Sequence, residues 1–87
     1  MEGRETLSLL DLLFTRDRSI VVTDETMAKW SGRTLGLLSD ALERGWMRER
    51  SSRNGVTYTL TRLGSRSIGT YHELLRDEAR NVCTGAD

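Results

Sequence analysis

The feature that most restricts how this chain can fold is a helix running straight into a β-hairpin, spread over residues 33–64. Leu35, Leu38 and Leu42 recur at i, i+3 and i+7 with Ala41 beside them, the spacing that puts apolar side chains on one face of an α-helix. Gly45 ends that helix. Arg44 places a cation in its last turn, and a residue without Cβ can take the left-handed conformation in which many helices terminate. Residues 46–51 and 56–61 follow as two extended candidates separated by Ser52, Arg53, Asn54 and Gly55, and Asn-Gly tolerates the positive φ angles of a tight reversal. Val56, Tyr58 and Leu60 fall on one face of the second strand and Thr57, Thr59 and Thr61 on the other. A hairpin so patterned buries one side only.

The flanking chain reads as helices and one short strand. Residues 1–4 are short and polar and are expected to fray, after which Thr6 can cap a first helix carrying Leu7, Leu9, Leu10, Leu12, Leu13 and Phe14. That apolar face is too wide for a helix touching one neighbour. Leu10, Leu13 and Phe14 suffice for a core, so Leu9 and Leu12 either extend the core or meet a second subunit. Residues 15–18 form a polar turn and 19–22 a β-branched strand. Thr23 caps a second helix with Asp24 and Glu25 at the positive end of its dipole and Met27, Ala28 and Trp30 as its apolar members. Ser31 and Gly32 turn into the third helix. Ser65 or Ser67 can cap a last helix over 65–83, in which Ile68, Tyr71, Leu74, Leu75, Ala79 and Val82 form a stripe. With no later element to cover it, that stripe either pairs with a second copy of the chain or folds back on the first helix. Residues 84–87 are expected to be disordered.

An 87-residue chain with 37% hydrophobic content makes one small domain, near the size at which a single core becomes marginal. A lone cysteine, Cys83, has no intramolecular disulfide partner, and no stretch has the length and apolarity of a signal peptide or a membrane span; the cytoplasm is the expected compartment. The net charge is zero, but it is unevenly spread: residues 1–28 carry −3, residues 29–66 carry +5 and residues 67–87 carry −2. The basic excess sits on the helix-hairpin unit, where a phosphate backbone would find it. Arg48 and Arg50 alternate onto one face of the first hairpin strand, with Arg53 and Asn54 at the tip.

The succession helix, Gly45, bulky apolar residue, basic hairpin with Asn54-Gly55, then Tyr58-x-Leu60-Thr61-x-x-Gly64 resembles the second half of a winged helix-turn-helix domain of the MarR and PadR type of bacterial and archaeal regulators. The likeness covers residues 19–64 well and the terminal helices in outline. It implies an α+β fold, a three-helix core with a short antiparallel β-sheet wing plus a C-terminal helix, as one domain over 1–87. It implies double-stranded DNA as partner, with Arg33, Thr34, Leu37 and Asp40 of the third helix and Arg48, Arg50, Arg53 and Asn54 of the wing as contacts. A homodimer is expected through Leu9, Leu12, Ile68, Tyr71, Leu75 and Val82. The chain between Ala28 and Leu35 is about one helical turn shorter than the family provides, so only Arg33 and Thr34, followed by Gly36 and Leu37, stand where base-reading side chains would be.

Catalytic chemistry has little to start from. His72 and Cys83 are single, and neither lies near a carboxylate cluster of ligand spacing, so no metal set, cofactor or nucleophile-base pair is expected. Gly32, Gly36 and Gly45 belong to a turn and a helix and form no phosphate-cradling loop. Trp30 and Trp46 read either as core anchors beside helix ends or as stacking platforms for bases. The sequence therefore points to a small homodimeric DNA-binding regulator and not to an enzyme. The alternative is a winged-helix module that binds protein, such as a phage- or plasmid-encoded modulator of a host complex.

Overall fold

The computed structural model describes residues 2–85, with side chains placed through Arg80. Its elements are α1 (Arg4–Leu13), β1 (Ser19–Thr23), α2 (Asp24–Lys29), α3 (Gly32–Glu43), β2 (Met47–Ser52), β3 (Gly55–Leu60) and α4 (Arg62–Gly85). This is an α+β arrangement of four helices and one antiparallel three-stranded sheet of order β1-β3-β2. No helix among the described residues is long and apolar enough to cross a membrane.

Local chemistry explains the element ends. Thr23 Oγ1 accepts the Thr26 amide at 3.1 Å and Ser31 Oγ the Thr34 amide at 3.2 Å, each satisfying a backbone donor that the first turn leaves without a partner. At the other end of α3, Gly45 adopts φ +76°, Gly45 N–H bonds the Leu42 carbonyl and Trp46 N–H that of Ala41. These two bonds are a Schellman closure, which needs the left-handed residue that only glycine supplies cheaply. The chain then enters the sheet, where Thr61 N–H meets the Trp46 carbonyl.

The start of α4 corrects the expected cap. Thr61, not Ser65 or Ser67, holds it: Thr61 Oγ1 accepts the Gly64 amide at 3.0 Å while donating to the Gly45 carbonyl at 2.6 Å. Gly64 is required there for a different reason, since a Cβ at that position would fall on the Trp46 carbonyl oxygen. The Thr-x-x-Gly signature thus fastens the first turn of α4 onto the chain leaving α3.

The core consists of Leu7 and Leu10 of α1, Val22 of β1, Leu38 and Ala41 of α3, Trp46, Met47, Tyr58, and Tyr71 of α4. Leu13, Phe14, Ile20, Met27, Trp30, Leu42, Val56, Leu60 and Ile68 pack against it half-buried. Trp46 and Trp30 are anchors of this core, as one of the two sequence readings had it. In the sheet Val56, Tyr58 and Leu60 turn inward and Thr59 outward, so the hairpin is buried on one side as its alternation required. The reversal meets the expectation in part: Gly55 takes φ +154°, while Arg53 and Asn54 have no positive φ and Gly55 is already paired in β3 opposite Ser52 and Thr23.

Three other expectations are overturned. Thr6 does not cap α1; the helix starts at Arg4 behind Gly3, and Thr6 is only 1% exposed. Its hydroxyl is spent on a tertiary bond instead. Ala28, expected among the apolar members of α2, lies on its exposed side. Leu35 is 39% exposed, so of the expected apolar face of α3 only Leu38, Ala41 and Leu42 lie in or against the core.

Of the two courses open to α4, the described helix folds back along α1. His72 Nε2 meets Asp11 Oδ1 at 2.9 Å, and the Arg4 guanidinium grips Glu78 through two bonds, the longer 2.8 Å. Asp11 pairs with the earlier α4 residue and Arg4 with the later one, so the two helices run antiparallel.

Candidate nucleic-acid interface

The residues expected to touch DNA divide into two groups with different surroundings. On α3, Arg33, Leu37, Asp40 and Arg44 recur at i, i+4, i+7 and i+11 and therefore share a face. That face is turned to α1. Arg33 Nη2 pairs with Glu5 Oε2 at 2.8 Å, and Leu37 is half-buried in a shallow groove with Leu9 and Leu12. Asp40 Oδ2 accepts the Thr6 hydroxyl at 2.7 Å and Arg44 Nε at 2.9 Å. The Thr6 hydroxyl, with Arg44 adding to it, holds the Asp40 carboxyl below the usual carboxylate range despite partial desolvation. Arg44 also lies over the Trp46 ring, 5.1 Å from its centroid, a cation-π contact. Thr34 is half-buried, with its hydroxyl 3.2 Å from Ser31 Oγ.

The expected reading residues of α3 are thus occupied in holding α3 to α1 or in capping. Apart from Arg33, whose side chain is 75% exposed while paired with Glu5, α3 shows to solvent Gly32, Leu35, Gly36, Ser39 and Glu43, a strip with one carboxylate and no cation. Such a strip offers no bidentate donor to a guanine and no amide to an adenine.

The hairpin behaves differently. Arg48, Arg50, Arg53 and Asn54 are all exposed. None of the three arginines forms an ion pair with another described residue, whereas Arg4, Arg33 and Arg44 each have a carboxylate. Register puts Arg48 opposite Thr59 and Arg50 opposite Thr57, all on the outer face of the sheet. Glu49 points to the opposite face beside Tyr58; burial, with the Glu49 charge adding to it, pushes the Tyr58 phenol above its ordinary range. The acid of this strand is accordingly kept off the face that carries the arginines. At the tip, the Asn54 carbonyl accepts the Asp24 amide at 3.4 Å, which ties the hairpin loop to the start of α2.

The residues expected at a dimer interface are also divided. Tyr71 belongs to the core of the single chain, and Ile68 and Leu9 pack against that core. Leu12 is 75% exposed and Leu75 37%, so both remain accessible to a second copy. Val82 lies outside the residues whose side chains are described. Among the described residues, no group of three or more His, Cys, Asp or Glu could hold a metal ion.

Residues that the sequence reading missed are the outward hydroxyls Ser19 and Thr59, whose oxygens lie 3.0 Å apart across β1 and β3, and Thr57 between Arg50 and Val21. Strand alternation already placed Thr57 and Thr59 on the outer face; their neighbours followed only from the β1-β3 register. No family model, no curated protein and no solved structure matches the chain.

Proposed function

We propose that this chain is a winged helix-turn-helix DNA-binding protein, a small cytoplasmic regulator that works as a homodimer and holds duplex DNA mainly through its β-hairpin. The element succession α1-β1-α2-α3-β2-β3-α4 with sheet order β1-β3-β2 is compatible with that architecture. The observation that carries the functional part is the set of exposed arginines, Arg48, Arg50 and Arg53, left without carboxylate partners on a hairpin tipped by Asn54. Arg4, Arg33 and Arg44 each have a carboxylate; on the hairpin three arginines within six residues have none among the described residues, and a polyanion would supply the missing charges. Base reading is subordinate in this scheme, because Arg33 must leave Glu5 before it can reach a guanine. Leu12 and Leu75 provide exposed apolar surface for a second copy. No catalytic group, metal or cofactor is assigned.

Fluorescence anisotropy with labelled duplexes of several sequences tests the proposal. Arg53→Ala should weaken binding about equally on all of them and reduce the slope of log K against log salt by about one, the signature of one lost phosphate contact. If no duplex binds at low salt, the proposal fails.

A second reading, a module that binds protein, is favoured by one feature. The groove between α1 and α3, of about 280 Å3, is lined by Leu9, Leu12 and Leu37 with Glu5, Ser8 and Arg33 at its rim, and an apolar helix could lie in it. Leu12→Glu would abolish that mode while leaving the arginines of the hairpin untouched.

A further inference from the structure

The outer face of the sheet is largely exposed to solvent. It carries three rows of cross-strand neighbours, Arg48–Thr59–Ser19, Arg50–Thr57–Val21 and Ser52–Gly55–Thr23. Val21, 65% exposed, is its one large apolar member. These rows contain no acid: Glu49 alternates inward, and apart from Val21 and Gly55 the positions are hydroxyls and arginines. Arg48 and Arg50 stand about 7 Å apart as i and i+2 of one strand, comparable with the spacing of successive phosphates along a nucleic-acid strand. Beside them the Ser19–Thr59 hydroxyl pair and Thr57 are short donors on a pleated surface, with no bulky side chain standing between the cations.

We infer that this open sheet face, and not the exposed strip of α3, is the surface on which duplex DNA lies. The inference rests on the nucleic-acid function proposed above and specifies its site. Arg48 and Arg50 bind phosphates of one strand, and the hydroxyls of Thr57, Thr59 and Ser19 donate to neighbouring phosphate oxygens. All of these contacts go to the backbone, so the complex carries little sequence information. Charge complementarity selects the occupant: a face with two cations without carboxylate partners, several donors and no acid suits a polyanion. The α3 strip, with Glu43 and two glycines, would meet the same polyanion with a like charge.

The test places charges of either sign at Thr59 on the sheet and at Ser39 on α3, in the full chain, and measures anisotropy of a random-sequence duplex. Thr59→Glu should weaken binding by at least about tenfold and Thr59→Lys should strengthen it several-fold, since one sets a like charge against the backbone and the other adds a contact. The gain with lysine cannot come from unfolding. Ser39→Glu and Ser39→Lys should each stay within about twofold of wild type. Sensitivity at Ser39 comparable with or greater than that at Thr59 overturns the inference while leaving DNA binding intact. A wild type that binds no duplex removes both the site and the function on which it rests.

Discussion

Thr6→Val isolates the bond by which α1 holds α3. The substitution keeps the branched shape of a side chain that is 1% exposed and exchanges its hydroxyl for a methyl, so no donor is left stranded on α1. What is lost is the 2.7 Å bond to Asp40 Oδ2. A hydrogen bond to a charged group contributes about 1.5–3 kcal/mol, but the Asp40 side chain is 34% exposed, and water replaces part of the lost bond. The expected destabilisation at neutral pH is therefore about 1–2 kcal/mol. For a domain of this size that lowers the melting temperature by roughly 5–15 °C. The pH dependence has a definite sign. The folded-state pKa of Asp40 is depressed, chiefly by Thr6, so its contribution is present above the unfolded pKa, about 4, and is lost as pH falls through the folded value. Urea titrations followed by the fluorescence of the buried Trp46 should show the gap between wild type and Thr6→Val open at pH 7 and narrowing below about pH 4. A variant as stable as wild type at pH 7, or a gap that persists unchanged into strong acid, would refute the assignment.

Leu38→Ala, at a side chain 2% exposed where α3 meets the core, should cost about 2–5 kcal/mol, and a melting temperature equal to wild type would contradict the orientation of α3. Gly64→Ala forces a methyl onto a backbone carbonyl and should cost about 1–3 kcal/mol or more, read by the same unfolding assay; neutrality there would mean that α4 does not approach Trp46 so closely. In sedimentation the wild type should be dimeric at micromolar concentration and Leu12→Lys monomeric; a monomeric wild type would remove the homodimer.

Much of the fold was legible because it is written in local chemistry. Thr23 and Gly45 are a cap and a stop whatever surrounds them, and the alternation from Val56 to Thr61 sorts the hairpin into two faces without knowledge of its partners. The misplaced pieces depend on distant chain. Thr6 looks like a cap because its partner, Asp40, is 34 residues away, and nothing in the spacing of α1 reveals that a carboxylate will arrive. Leu35 was misplaced for a similar reason: four leucines within eight residues allow more than one buried stripe, and only packing shows that Leu38, Ala41 and Leu42 meet the core while Leu35 does not. The candidate site was misplaced as well. Arg33, Leu37 and Asp40 were expected to face a major groove, yet the orientation that buries Leu38 turns them to α1. The hairpin arginines were legible because alternation alone fixes their face, while Ser19 entered only once β1 was paired with β3.

The dependence of duplex binding on salt tests the central claim most directly. Three phosphate contacts by Arg48, Arg50 and Arg53 predict a slope of log K against log salt of about −2.7, a loss of roughly forty-fold in affinity between about 50 and 200 mM salt. Binding to every duplex that ignores salt, or no binding at the lowest salt, would contradict it.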